Sequence, residues 1–434
     1  MQAVMRRTNG IRSQAWRAAF ALAVACMVVF AVTTSGFGQE KVTLHYFTWA
    51  GGTAATYIAE DFIQPFQELY PHIEIQYEAV GFGEFFDKLL TYYAAGNPPD
   101  LMHMSVAYVY EYAGMGLLEN LTPYFERDLN PDDFFLPPMD AVRYPGMTPE
   151  TGDLYAIPFA FVMSTLFYNK DLFDAMGVPY PDDTLTWEGI GEIGKRFVRD
   201  ADGDGTPETW GFASRPGYEL LDAAIHAYGG RTLNDDYTEV LFDQPEGIAA
   251  TEMLVNLIWE DFVSPPTGNA NAMFTQGNLA MNITNMSNLD GFRANAHFDW
   301  DIALMPLGPV KRVTRVWPDS FAISSRSPHK EEAWEYVKFV ITQTKVDRYS
   351  GQRKVPIYKP LATSPEWLEE GNKPNKLIFI ESLNSGDPLE FRPKWGEWEP
   401  ARSSILGAAF RGEMDTANAV RMAADRIRAI LGLV

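Results

Sequence analysis

Apolar and polar positions follow two rhythms along this chain. Val42-Thr43-Leu44-His45-Tyr46-Phe47 alternates with period two and is rich in β-branched and aromatic residues, which predicts a strand. After the loop Thr48-Trp49-Ala50-Gly51-Gly52 the spacing lengthens. Tyr57, Ile58, Phe62, Phe66 and Leu69 recur at helical intervals, and Pro65 must kink that helix or restart it. Tyr70-Pro71 stops it, and Ile73-Glu74-Ile75-Gln76-Tyr77 alternates again. A loop from Gly81 to Asp87 enters a helix through Leu90 and Tyr93. Gly96-Asn97-Pro98-Pro99 then turns into a strand at Asp100-Leu101-Met102-His103-Met104.

The middle and end of the chain keep this order. Tyr155 to Phe159 reads as extended. Thr186 caps a helix with Trp187, Ile190, Ile193 and Phe197 on one face. Further helices are predicted at Ile248–Trp259, after Ser327-Pro328 (Trp334, Val337, Val340, Ile341 inward), and at about Thr416 to Leu431. Strands are predicted at Leu279–Ile283 and from Asp301 to Pro309. Strand and helix in alternation imply an α/β fold with a largely parallel sheet, whose ligands sit at the carboxyl ends of strands. With 434 residues, the chain is too long for one ordinary core and suits two lobes. Without repeats or a low-complexity linker, the lobes are expected to share crossover strands.

The amino terminus follows another logic. Arg6, Arg7, Arg12 and Arg17 precede an apolar run from Ala18 to Val32, and small residues follow at Thr34, Ser35, Gly36 and Gly38. This is the layout of an export signal, residues 1–38, cut after Gly38 or Gly36; a retained anchor helix is the alternative. Cys26, the only cysteine, faintly resembles a lipoprotein box. The polar leash of a lipid-tethered protein is missing, so a plain signal-peptide cysteine is favoured over a lipid anchor. The mature chain then has no thiol chemistry and a periplasmic or other extracytoplasmic location. The full sequence carries 35 basic and 57 acidic residues, a net charge of −22, and losing the signal makes it more acidic still. Such a surface repels nucleic acid and anionic lipid and suits neutral or cationic solutes.

Eight short segments in order carry a resemblance. They are Phe66 to Ile75, Ala94-Ala95-Gly96-Asn97-Pro98-Pro99-Asp100-Leu101, Gly116 to Thr122, Tyr155 to Phe159, Tyr168 to Phe173, Thr186-Trp187-Glu188, Phe274 to Met281, and Glu332 to Tyr336. In these the chain resembles the bacterial extracellular solute-binding proteins of the maltose-binding type, family 1, the sugar-binding subunits of ABC importers. The resemblance implies a two-lobed periplasmic-binding-protein fold. Each lobe would be a mainly parallel sheet flanked by helices, with crossover strands near Ile157-Pro158, Met305-Leu307 and Val355-Pro356. Lobe one would be 39–156 and 308–353, and lobe two 157–307 and 354–434. The implied function is capture of a mono- or oligosaccharide by hinge closure and delivery to the membrane permease, by a monomer that needs no cofactor.

A pyranose offers apolar faces and a hydroxyl rim, so its site should combine aromatic rings with carboxylates or amides. By position at strand ends, Trp49, Glu84, Asp87, Ser105 and Tyr108 are candidates in lobe one. Trp395 and Trp398 stand in a loop before a helix, and Trp300 and Trp317 flank the second crossover. Tyr218 and Glu219 lie where the family has an aromatic-binding segment. Asn285 and Asn288 follow a strand after which the family often places a stacking aromatic; here that position is Ser287, a departure. Core packing competes for the aromatic residues, and a favourable place at a helix start competes for Glu84 and Asp87. Separately, Asp200, Asp202 and Asp204, with Gly205 and Glu208, resemble the opening of an EF-hand loop and could hold a structural calcium. The twelfth position is Gly211, however, and the other reading is a solvated acidic turn. Non-sugar cargo (a polyamine or a phosphorylated polyol) and a secreted glycosidase with paired carboxylates are the rival functions.

Overall fold

A computed structural model describes residues 40–146, 148–344, 354–369, 374–388 and 393–433. The expected export signal, 1–38 with Cys26, lies outside these residues. The first strand, β1 (Val42–Thr48), leads into α1 (Thr53–Tyr57), a π turn (Ile58–Ile63) and α2 (Gln64–Leu69). Pro65 falls in the first turn of α2, where a missing N–H costs little, so the helix restarts there. Then come β2 (Ile73–Ala79), α3 (Phe82–Ala94), β3 (Leu101–Ser105) and α4 (Val106–Gly114). These three strands pair in parallel, β1 in the middle.

The strand that joins the lobes is β4 (Ile157–Asn169), in which all 13 residues are buried. Its apolar run reads IPFAFVMSTLFYN because both faces are covered along its length. Downstream lie α5 (Trp187–Gly194), α6 (Tyr218–Ala227), α7 (Pro245–Trp259), β5 (Met281–Asn285) and β6 (Trp300–Ala303). Then follow β7 (Thr314–Ile323), α8 (Lys330–Gln343), β8 (Val355–Pro356), β9 (Gly386–Pro388), α9 (Trp395–Phe410) and α10 (Thr416–Leu431).

The main sheet has the order β8-β4-β7-β3-β1-β2, with β9 against β7 and with β5 and β6 against β4. The first part of β4, Ile157 to Met163, pairs antiparallel with β7. Its second part, Ser164 to Asn169, pairs antiparallel with β5 and β6. One continuous strand therefore changes partners at Met163/Ser164, and β8 docks beside it at Ala160 and Phe161. The return path lies later than Met305-Leu307. Leu307 still bonds Leu185 and Trp187 at the entrance to α5, Val313 belongs to the second core and Val316 to the first.

Two hydrophobic cores result. One gathers β1, β3, α8 and the start of β4 around Tyr46, Phe47 and Trp334. The other gathers α5, α6, α7, α9 and α10 around Trp187, Leu254 and Val420. Caps act where the sequence places them. Thr186 Oγ1 accepts from Gly189 N at 2.9 Å and Asp415 accepts from Asn418 N at 3.0 Å. Trp187 and Trp334 are fully buried, as their helical spacing requires.

Candidate functional site

The seam between the two cores opens into a cleft of about 450 Å³. From the first lobe it is walled by Phe82, by Ser105 to Tyr108 with Tyr110 and Glu111, and by Trp317-Pro318-Asp319 on β7. Tyr218 and the segment from Pro393 to Glu397 close it from the other side. Local geometry explains each wall. On β7, Trp317 and Asp319 are the half-buried positions of an otherwise buried strand, so period two sends both side chains toward the cleft. Tyr218 is the first residue of α6, entered from extended Gly217, and Trp395 is the first residue of α9. Before it, Lys394 takes a left-handed backbone (φ 58°), uncommon for a side-chain-bearing residue, and its Nζ donates to Ile430 O at 2.8 Å.

Three rings from three separate stretches of chain meet here. Tyr218 lies edge-on to Trp395 (centroids 5.5 Å, 85°) and to Trp317 (6.4 Å, 68°). Opposite, Tyr108 stacks on Phe86 at 3.6 Å and 20°. Burial raises the Tyr218 phenol well above its ordinary pKa, keeping it a neutral donor. Glu111, Asp319 and Glu397 make the walls acidic, and Asp319 pairs with Lys354. At the mouth, Tyr110 of α4 meets Tyr237 from the far lobe edge-on (5.5 Å, 82°), so an aromatic contact crosses the cleft.

A second cavity of about 430 Å³ is walled by Arg215, Glu219, Thr284, Asn285, Asn288 and residues 268–271, where a short helix (Ala270–Thr275) begins. Glu219 Oε1 accepts from Asn285 at 2.5 Å. Burial raises the Glu219 carboxyl, while Asn285 and Arg215 oppose the rise.

The structure thus gathers Ser105, Tyr108, Tyr218, Trp317 and Trp395 around one cavity, and Glu219, Asn285 and Asn288 around the next. It keeps five other candidates away from both. Trp398 is 2% exposed and packs in the second core under the Arg402 guanidinium. The stretch expected to be a loop is already the first turn of α9, which turns Trp395 outward and Trp398 inward. Trp49 wedges edge-on between Phe82, Phe85 and His103. Glu84 and Asp87 lie exposed on α3, and only Phe82 of that region reaches the cleft. Trp300 is buried against Phe167 and Phe292. Sequence reasoning passed over Tyr110, Glu111, Asp319, Glu397, Asn269 and Asn271, and it offered Arg215 only for an anionic cargo. Tyr110 and Glu111 had a readable signal, since they extend the strand-end segment that begins at Ser105.

In the acidic turn, carboxylate oxygens of Asp200, Asp202 and Glu208 lie within 4.8 Å of one another. Asp204 stands outside that group, and its Oδ1 accepts from Thr206 N at 2.7 Å. Backbone amides engage the others as well. Asp200 accepts from Gly203 N (2.7 Å) and Gly205 N (2.9 Å), and Glu208 accepts from Ala201 N (2.7 Å). Gly203 (φ 77°) and Gly205 (φ 90°) supply the left-handed bends. Three exposed carboxylates lie close enough to share one cation, and with no glutamate at the twelfth position the rest of the six to eight oxygens calcium takes would have to come from backbone carbonyls or water.

A model of the bacterial extracellular solute-binding proteins matches residues 48–345. The chain belongs to that family. Several of its curated relatives carry binding-protein names. A binding protein of Brucella abortus (strain 2308) is 23% identical to it over 384 residues, 86% of this chain and 89% of the relative. The maltotriose-binding protein of Pyrococcus abyssi is 23% identical over 365 residues, 80% and 74% respectively. Among solved structures, the sugar-binding protein MalE from Xanthomonas citri superposes with TM-score 0.76 at 20% identity, covering 90% of this chain and 97% of that one. A Listeria monocytogenes ABC substrate-binding protein in complex with cycloalternan gives TM-score 0.73 at 24% identity, covering 91% and 100%. UgpB from Mycobacterium tuberculosis, in complex with glycerophosphocholine, gives 0.72 at 18%, covering 90% and 98%. At these identities the structural likeness is one of fold. Among the described residues no helix is long and apolar enough to cross a membrane.

Proposed function

We propose that this solute-binding protein captures a carbohydrate between its lobes and delivers it to a membrane permease, after export directed by residues 1–38. The observation that carries the reading is the meeting of Tyr218, Trp317 and Trp395 at the seam, with carboxylates around them. Indole and phenol faces suit the C–H faces of a sugar ring, and Glu111, Asp319 and Glu397 suit its hydroxyls. Because both lobes supply walls, a bound solute favours the closed state over the open one. The relatives that bind maltotriose and cycloalternan support the same class of cargo.

A cationic solute is the second reading. Aromatic rings beside carboxylates also attract a quaternary ammonium, and glycerophosphocholine, held by one neighbour, carries that group. A phosphorylated polyol draws less support, since Lys394 is the one cationic residue in the cleft wall among the described residues.

The test is a thermal-shift screen of the purified protein with mono-, di- and oligosaccharides, glycerophosphocholine and spermidine, with and without EDTA. A solute at 100 times its Kd stabilises the fold by about 2.7 kcal/mol. A sugar is expected to raise Tm without being consumed, and Trp395→Ala is expected to weaken it at least tenfold, about 1.4 kcal/mol. A shift with glycerophosphocholine or spermidine and none with sugars would transfer the clamp to cationic cargo. Hydrolysis of the sugar would replace the clamp with an enzyme. A Tm that EDTA leaves unchanged would assign Asp200, Asp202 and Glu208 to a metal-free turn, and a fall in Tm would assign them a bound cation.

A further inference from the structure

The face of α6 that carries Tyr218 carries ionisable residues at the next two turns, Asp222 and His226. On β7, Arg315 and Trp317 likewise share one face, two places apart. The two surfaces whose rings meet in the cleft therefore meet again about two turns of helix along, where His226 comes to Arg315. We propose that this second meeting is a proton-operated joint between the lobes, in which a proton on His226 drives α6 away from β7 and opens the cleft.

The joint sits where the chain changes lobes. On β7, Val313 belongs to the second core and Val316 to the first, and Arg315 lies between them. His226 comes from α6 of the second lobe. Asp387 comes from the first-lobe side. Its strand, β9, pairs in parallel with β7 from Thr314 to Val316, and Gly386 lies against Pro137 of the short helix Leu136–Asp140. Lys311 stands in the loop before β7, which is tied to the end of α6 by Val310 N donating to Ala227 O at 3.1 Å.

One nitrogen holds these parts together. Nδ1 of His226 lies 3.0 Å from Arg315 Nη1 and 3.0 Å from Asp387 Oδ2. It can serve only one of them at a time, since bare it accepts from Arg315 and protonated it donates to Asp387. With Nδ1 bare, each partner is satisfied. Arg315 Nη1 gives one hydrogen to His226 and the other to Asp387 Oδ1 at 2.6 Å, while Lys311 Nζ donates to Asp387 Oδ2 at 3.2 Å.

A second proton on the ring upsets this arrangement. Arg315 loses an acceptor and faces another cation at contact distance, and three cations then share one carboxylate. Like charges held close in a site shielded from water repel strongly. Arg315 cannot withdraw, because its side chain is 1% exposed and its Nε has no hydrogen-bond partner among the described residues. The other carboxylate on this face of α6, Asp222, is engaged by Arg402 of α9. What yields is His226, together with its helix. At the other end of that ten-residue helix, about 12 Å away, stands Tyr218 in the cleft wall.

Small-angle scattering of the unliganded protein from pH 8 to pH 5, the range in which a histidine gains its charge, tests the joint at fixed ionic strength. The radius of gyration is expected to rise along a one-proton curve as pH falls. In His226→Gln, whose side chain takes no proton, it is expected to stay flat. Lys311→Gln changes an exposed residue and removes one of the three cations, so the ring takes its proton more readily and the rise is expected at higher pH. A constant radius in the unmodified protein, a rise that persists in His226→Gln, or a rise that stays in place in Lys311→Gln overturns the joint. Both variants keep His103, so its titration cannot imitate the result. No solute enters the experiment, which makes its outcome independent of the cargo.

Discussion

Beneath the cleft, His103 is enclosed completely, with Tyr46 Oη 2.5 Å from Nε2 and Thr48 Oγ1 2.7 Å from Nδ1. Burial, and secondarily the Lys354 ammonium, push its pKa well below 6.5. In the unfolded chain the ring takes a proton below about 6.5 that the folded chain refuses. Its stabilising effect is therefore complete above that pH and is lost as pH falls through it, by about 1.4 kcal/mol per unit. Urea unfolding from pH 8 to pH 5 is expected to show this slope, reduced in His103→Gln. An unchanged slope in the variant would move the effect to another group. The two indoles of α9 teach a different lesson at this scale. Trp395 and Trp398 are both legible as large apolar residues in a polar stretch, but three places along a helix separate a cleft wall from a core. Read as a loop, that stretch gave no period by which to tell them apart.

The helices that begin with the site's aromatic residues are tied together from behind. Arg402 of α9, with no side-chain exposure, donates to Asp222 of α6 at 2.6 Å and to Thr232 at 3.2 Å. Asp222 is four residues after Tyr218, and Arg402 is seven after Trp395, so this buried pair sets how the two ring-bearing ends face each other. Arg402→Ala would strand a buried carboxylate, and a loss of about 3–5 kcal/mol in urea unfolding is expected. Replacing both partners, Arg402→Met with Asp222→Leu, is expected to recover most of it. A loss under about 1 kcal/mol in the single variant would show that the pair does not hold the helices. Element identity itself was largely legible. Thr186, with Trp187, Ile190 and Phe197 behind it, specifies cap and buried face locally, and α10 spans Thr416–Leu431 as its period indicates. Mates across helices, such as Arg402 with Asp222, are 180 residues apart and leave no local trace.

For the whole molecule, one aromatic contact joins the lobes far from the shared strands. Tyr237 holds a left-handed backbone (φ 60°) and reaches Tyr110 across the mouth. A contact that exists only when the lobes are near biases the equilibrium toward the closed form. Tyr237→Ala is expected to raise the radius of gyration of the unliganded protein in small-angle scattering and to speed solute release. An unchanged radius of gyration and release rate would assign closure to the strands alone.

The sequence by itself determined the α/β class, the succession of elements, the capped helices and the family, because periodicity, caps and spaced motifs are local. It also picked out Trp317 and Trp395 by residue type and position, and Tyr218 through the family resemblance. Only the tertiary structure decided that these rings, carried by α6, β7 and α9, share one cavity, that β4 changes sheets at Met163/Ser164, and that His226 meets Asp387 beside Arg315. Each of these is a meeting of segments distant in the chain. Such meetings are set by how two cores pack on one shared strand, and no local pattern of residues encodes that packing.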